Sequence, residues 1–367
     1  YEFFENILLG IYNMKKVILL LLLPLTAMAT PIKGFFENYQ DWDLVCDNLG
    51  TCRMAGYQED EGFDNRVSLL FTRQAGEDAP INAELIFLDY DENDKPIKLD
   101  DKIQIILNGK SLGTIQNLKN SSSKLNAKQT TELLTALKDH ADIQFISGQF
   151  KRYISDKGAT AAMLKMDEFQ QRLNTPSALV RQGQEKRAVL APQAAPKIDA
   201  VKINNRKMVD LQRGEKNFDN VLTLLRQSNG TNENADNYCS ALHQDEGWSG
   251  LITQYPLTKG KVLAETICIM AAYQHYNYYA VMDEKLSKVE QVLASQYNDV
   301  MYDDKKHILT VIGSFKSRGI GDCWHGKEAV WNGKIFIRTS EWTTGSCKGF
   351  TGGAWQLPIF VSEINVK

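Results

Sequence analysis

Six cysteines fall into three pairs that are close in sequence: Cys46 with Cys52, Cys239 with Cys268, and Cys323 with Cys347. Six cysteines allow fifteen connectivities, and proximity favours these three local ones. In the chain-entropy model the two longer loops correspond to about 3–4 kcal/mol each and the short one to roughly 2–2.5 kcal/mol. None of the six forms a Cys-x-x-Cys pair, which argues against thioredoxin-like redox chemistry. No pair has the short ligand spacing of a zinc site, and an oxidising compartment favours bridges over metal thiolates. The last pair brackets the stretch Arg318–Cys347. There Ala329-Val330-Trp331 and Ile335-Phe336-Ile337 flank Asn332-Gly333-Lys334. Asn-Gly tolerates positive φ at both centres of a type I′ turn, so a hairpin with Cys323 before it and Cys347 after it is expected.

The start of the chain supports the oxidising compartment. Met14-Lys15-Lys16 is a positive segment, Val17 to Leu23 an unbroken apolar run, and Ala27-Met28-Ala29 a small-x-small cleavage site. This pattern reads as a secretory signal peptide cleaved near Ala29, its apolar run being shorter than the ~20 residues that span a bilayer. Tyr1 to Asn13 precede the natural start, read as translated leader or a mis-called start, and stand outside the fold. Residues 1–29 are thus leader and signal peptide, and the remainder is expected to be periplasmic or secreted.

A net charge of −3 over 367 residues leaves no global electrostatic footprint for nucleic acid. No later apolar stretch approaches membrane-spanning length, so the chain is not expected to span a membrane. The length suits two domains of ordinary size. In the first, Gln40 to Cys46 reads as a strand with Trp42, Leu44 and Cys46 on one face, and Cys52-Arg53-Met54 begins the return. Val67 to Thr72 and Glu84 to Leu88 are further strands. Lys102 to Leu107 and Leu112 to Ile115 flank Asn108-Gly109, a second hairpin signal. Lys128 to His140 is expected to be helical, with Leu133, Leu134 and Leu137 at three-and-four spacing. Ile143 to Ile146 and Tyr153-Ile154 return to strand. A second helix, capped by Ser155 or Asp156, carries the stripe Ala162, Met163, Met166, Phe169 and Leu173, best read as core.

Residues 185–200 contain an Ala/Pro-rich stretch that favours extended chain, the expected linker between domains at 30–184 and 201–367. Beyond it, Glu215 to Arg226 should form an amphipathic helix with Phe218, Val221, Leu222 and Leu225 inward. From Leu251 onward the pattern is mostly β. The expected fold class is therefore α+β, with an α+β N-terminal domain and a β-dominated C-terminal domain.

Four segments together carry a family resemblance: Asp41-Trp-Asp-Leu-Val-Cys-Asp-Asn48 with Cys52, Leu69 to Gly76, Ile154 to Glu168, and Lys316-Ser-Arg-Gly-Ile-Gly-Asp-Cys323 with Trp331-Asn-Gly-Lys334. The chain resembles the bacterial exported proteins grouped as a domain of unknown function (DUF eleven-seventy-six). Its N-terminal half is similar to invasion-associated locus B proteins. The resemblance covers almost all of the chain after the signal and implies export and disulfides. It implies no activity and no catalytic residue.

Several constellations compete with plainer readings. Asp89, Asp91, Asn93 and Asp100 place oxygen ligands at alternating positions with a carboxylate eleven residues after the first, imitating a calcium loop. Asp94 stands where such loops carry glycine, and the ordinary reading is a solvated acidic hairpin loop; calcium is the one cofactor considered. Gly247-Trp248-Ser249-Gly250-Leu251 glances at a nucleophile elbow, but Leu251 replaces the last glycine, and pairing Ser249 with His243 or His275 has no support. Asp322, Cys323 and His325 would make a cysteine–histidine pair only with a free thiol. Tyr273, Tyr276, Tyr278 and Tyr279, with Trp248, suit a sugar or peptide surface, since their rings offer apolar faces and polar edges. The plainer reading is a strand with alternate tyrosines packed inward. The expectation is a non-enzymatic binder of an unknown protein or envelope component. Its rivals are a hydrolase of an envelope glycan or peptide and a purely structural envelope protein. No sequence feature sets the oligomeric state.

Overall fold

A computed structural model describes residues 32–59, 66–88, 90, 95–117, 122–232, 238–244, 250–293 and 296–367. Ten strands of the N-terminal part form two antiparallel sheets. The first runs β1 (Phe35–Tyr39), β2 (Trp42–Cys46), β3 (Cys52–Tyr57), β4 (Val67–Arg73), β5 (Ile81–Phe87) and the short β8 (Ser123–Lys124). The second has the order β10 (Phe150–Ile154), β9 (Ile143–Ser147), β6 (Lys102–Leu107) and β7 (Lys110–Gln116). Alternation along β2 puts Trp42, Leu44 and Cys46 into the core shared with Ile103, Ile105 and Phe145. The intervening Val45 faces the opposite way, against Phe350 and Leu357 from the far end of the chain. This sheet is thus buried on both faces, and β2 reads as a continuous apolar run except for Asp43.

Two helices cover this core. In α1 (Ala127–Ala136), Asn126 accepts from the Gln129 N–H while the Gln129 side chain accepts from the Asn126 N–H, a reciprocal capping box. Leu133 and Leu134 face inward. In α2 (Ala159–Phe169), Ala162, Met163 and Met166 are buried. Gly158, with φ of 96°, precedes α2 and no side chain caps it; Asp156 accepts instead from the Ala141 N–H at 2.8 Å.

The C-terminal part has two further antiparallel sheets. One runs β12 (Val209–Gln212), β13 (Leu251–Pro256), β14 (Lys261–Met270), β15 (His275–Asp283) and β16 (Val289–Val292). The other runs β17 (Asp299–Asp303), β18 (Ile308–Lys316), β19 (Trp324–Trp331), β20 (Phe336–Thr343) and β21 (Leu357–Val361). Helix α3 (Phe218–Asn229) packs Phe218, Val221, Leu222 and Leu225 onto one face of the β12–β16 sheet. The opposite face meets the β17–β21 sheet through Leu263, Tyr279, Val281, Leu309, Val311 and Trp331. Beyond that sheet lies a parallel pair, β11 (Lys197–Ala200) with β22 (Glu363–Val366), packed on Ile308 and Val330. The Ala/Pro-rich stretch is hydrogen-bonded to the loops that follow β4 and β2 of the first sheet, Gly76 N–H to the Leu190 carbonyl at 2.8 Å and Gln193 N–H to the Leu49 carbonyl at 3.1 Å.

The expected α+β class is overturned: the described residues are 43% strand and 12% helix, with five sheets and three α-helices among them, and no clear α+β N-terminal domain. The reason is local. The two helical stripes of the N-terminal part extend only from Ala127 to Ala136 and from Ala159 to Phe169, each a lid on sheets that carry the rest of the core. The turn at Asn332-Gly333 also differs from expectation. At Asn108-Gly109 both residues have positive φ, 49° and 74°, as a type I′ turn requires. At the second site only Gly333 does (95°); β19 and β20 pair from Trp331↔Phe336, and the Asn332 carboxamide accepts from the Lys334 and Ile335 N–H groups at 2.8 Å.

Three disulfides tie this frame. Cys46–Cys52 joins paired positions of β2 and β3, across a turn in which Asp47 accepts from the Leu49 and Thr51 N–H groups. Cys239–Cys268 anchors the turn Ser240–His243 to β14, and Cys323–Cys347 joins the start of β19 to the chain after β20.

Candidate functional site

Strand register at the end of the β17–β21 sheet builds the site. Phe315 pairs with His325, and His325 with Thr343, giving one cross-strand row. In the next row Gly313 pairs with Lys327, and Lys327 with Glu341. Alternation along β19 puts His325 and Lys327 on the same face as Ala329 and Trp331, which meet the neighbouring sheet. The inward face of the sandwich therefore turns polar toward this end. Around it lies a groove of about 240 Å³, lined by Phe36, Gln296, Phe315, His325, Lys327 and Trp342 among others.

Aromatic side chains organise this groove. Tyr276 of β15 stacks on Phe315, centroids 4.4 Å apart and planes 9° from parallel, and Phe315 in turn meets the His325 ring at 5.6 Å. The stack links the two C-terminal sheets and ends in an exposed imidazole. Trp342 lies against Gly326; a Cβ there would sit 2.6 Å from the indole, so only glycine admits the ring. Phe36 comes from β1, so both halves of the chain supply walls.

The polar groups are held by their neighbours. The Lys327 ammonium donates to Gln296 at 2.9 Å and lies 4.8 Å from the Tyr297 ring centroid. Arg338 donates to Glu341. Partial desolvation on its groove side and the adjacent Lys327 cation hold the solvent-accessible His325 imidazole below its usual pKa, against the pull of Glu341, so it is neutral at neutral pH and offers one donor and one acceptor. Burial and Arg338 lower Lys327, against the pull of Glu341. Burial also pushes the Tyr297 hydroxyl up to about 12. Among the described residues lining the groove, Glu341 is the one carboxylate.

The residues singled out from sequence have diverse fates. Asp89, Asp91 and Asn93 lie outside the described residues, as do Trp248 and Ser249. The Asp100 carboxylate accepts from the Gly148 N–H at 2.9 Å and closes the β9–β10 turn. Tyr273 is 70% exposed, and the Lys316 ammonium sits between its ring and that of Trp324. Tyr276 joins the groove's aromatic stack. Tyr278 and Tyr279 are buried on opposite sides of their sheet, one toward α3 and one toward the facing sheet. Tyr278 pairs its hydroxyl with Ser228 at 2.9 Å. Tyr279 donates to Glu265 at 3.1 Å, where Tyr255 and Asn277 also donate; burial nevertheless pushes the Glu265 carboxyl up. His243 meets the Asn229 carboxamide at 3.1 Å and His275 the Asn298 carbonyl at 3.0 Å. Asp322, Cys323 and Cys347 put three ligand-type atoms within 4.8 Å, but both sulfurs are spent in a disulfide. Asp322 instead accepts from Nε and Nη2 of Arg318, at 2.8 and 2.5 Å, and from the Gly349 N–H at 2.7 Å.

The groove residues Gln296, His325, Lys327, Glu341 and Trp342 were not marked by any motif. One signal was readable: His325 and Lys327 continue, as polar residues, the inward alternation of Ala329 and Trp331. A roomier cavity of about 520 Å³ is lined by Arg66, Leu88, Tyr90 and Phe350 among others.

These features define a β-dominated, disulfide-tied protein with a small aromatic groove. The chain belongs to the family of proteins of unknown function DUF1176, whose model matches residues 36–362. No curated protein and no solved structure matches it. Among the described residues, no helix is long and apolar enough to cross a membrane.

Proposed function

We propose that the protein is a non-catalytic binding protein of the periplasm or cell exterior, and that the groove at His325 and Trp342 takes a protein or envelope component. The aromatic row Tyr276–Phe315–His325, ending in an exposed ring, carries this reading: it offers rigid ring faces with polar groups at their rim. The disulfides, and the signal-peptide pattern read in the sequence at Met14–Ala29, support export. A resemblance of the N-terminal half to invasion-associated locus B proteins, read from the sequence segments alone, would favour a partner at the host interface. A hydrolase of an envelope glycan would call for two carboxyl groups about 5–9.5 Å apart across a cleft. Glu341 alone, held by Arg338, does not supply that pair.

The test is retention of envelope components on immobilised, oxidised protein, compared with Trp342→Ala of matched thermal stability. Selective loss on Trp342→Ala is expected; identical retention by both proteins would sink the reading. N-terminal sequencing of protein recovered from the periplasm or medium should begin at Thr30, and an intact leader would remove the proposed address.

A further inference from the structure

We infer that the groove recognises a single uncharged sugar ring, a hexopyranose or N-acetylated hexosamine unit of an envelope glycan; this deepens the reading above and rests on it. Size is the first argument. About 240 Å³ is below the ~300–1,000 Å³ of sites for drug-sized ligands, which leaves room for one ring, not for an extended peptide.

Charge is the second. His325 is neutral, and Lys327 and Glu341 occupy directly paired positions on β19 and β20, so the ionised groups lining the groove cancel. An anionic or cationic ligand would gain little there, whereas a neutral one avoids the cost of stripping water from a charge. Surface form is the third. Apolar C–H faces of a pyranose match the aromatic rings among the lining, Phe36, Phe315, His325 and Trp342, while its hydroxyls need mixed donors and acceptors at the rim. Gln296, Ser317, His325, Lys327 and Glu341 supply both kinds. The partners of these groups also fix their geometry: Gln296 holds Lys327, Arg338 holds Glu341, and Phe315 backs the imidazole. Preorganised polar groups lose less on binding than free ones.

The experiment titrates the oxidised protein with glucose, N-acetylglucosamine and a soluble peptidoglycan disaccharide, with an unrelated short peptide as control. Saturation-transfer NMR and tryptophan fluorescence report binding. Saturable binding of at least one sugar is expected, with transfer concentrated on ring C–H protons. Affinity should fall about tenfold or more in Trp342→Ala and in Gln296→Ala, and hold in Tyr273→Ala, whose ring lies outside the groove lining. Unchanged melting temperature and absence of free thiols verify that each variant is folded. No transfer from any sugar, or transfer indifferent to both groove variants, would overturn the inference. Groove-dependent retention of envelope material that is purely protein would overturn it too, and leave the binding reading standing. Absence of groove-dependent retention would remove both.

Discussion

The carboxylate of Asp43 accepts two hydrogen bonds from Ser346, one from its N–H at 2.6 Å and one from its hydroxyl at 2.7 Å, across 303 residues of sequence. Asp43 is fully buried in β2, and Ser346 follows β20 beside Cys347. The contact therefore ties the first sheet to the segment that lines the groove and carries the last disulfide. Neighbouring ties repeat the theme. Lys348 and Asp41 form a largely buried ion pair at 2.7 Å, Asn48 exchanges two hydrogen bonds with the Val361 backbone, and Trp355 donates to Ser68.

Ser346→Ala should cost about 1–2 kcal/mol, because a buried carboxylate loses a charge-assisted hydrogen bond from its hydroxyl donor. Urea unfolding with unchanged slope would register it. A loss below a few tenths of a kcal/mol would show that Asp43 is satisfied by Asn38 and the Ser346 N–H alone.

Asp43 should also make stability depend on pH. Burial pushes its carboxyl above the ordinary 3.8, outweighing the hydrogen bonds from Asn38 and Ser346. A carboxyl raised in the folded state favours folding fully below 3.8, and this contribution is lost as pH rises through its folded value. Wild type should therefore gain on Asp43→Asn as pH falls from neutrality toward 4, each kcal/mol moving the melting temperature by about 2–4 °C. Parallel melting curves for the two proteins across that window would refute the assignment.

Replacing Cys323 and Cys347 together by serine should destabilise the protein by about 3–4 kcal/mol, and replacing Cys46 and Cys52 by roughly 2–2.5 kcal/mol, in the chain-entropy model. The difference follows from separations of 24 and 6 residues. Denaturant titration of both double variants decides it, and equal losses would mean that native contacts, not loop length, set the values.

Alkaline titration of the phenols at 295 nm should separate tyrosines by environment. Burial pushes Tyr297 and Tyr302 up to about 12, and Tyr57 and Tyr279 further. Each favours the folded state fully below the ordinary value of 10, a contribution lost as pH rises through the folded value. Much of the absorbance change should thus coincide with unfolding instead of a smooth titration near 10. A single reversible step at 10 with the fold intact would contradict the burial of these rings.

Local pattern carried a good deal of the fold. The alternation at Trp42, Leu44 and Cys46, the turn at Asn108-Gly109 and the stripes at Leu133-Leu134 and Met163–Met166 each correspond to an element formed by short-range sterics and a buried face. The overall class was misread because a helical stripe announces a helix but not its share of the core. Two lids over ten strands look, in sequence, like an equal partnership. Tyr278 and Tyr279 were similarly ambiguous. A strand buried on both faces hides adjacent rings in two different cores, and no local signal separates that from an exposed aromatic surface.

Residue order alone therefore determined many of the strands, the turn at Asn108-Gly109, the apolar faces of the helices and the cysteines close enough to bond, since each depends on neighbours within a few positions. Only the tertiary structure decided that Asp43 would meet Ser346, that Tyr276 would stack on Phe315 and that His325, Lys327 and Trp342 would share a groove. Those relationships arise from sheet register and from the packing of one sheet on another. Register is fixed by the sum of many side-chain contacts across the pleat, and no stretch of chain encodes it alone.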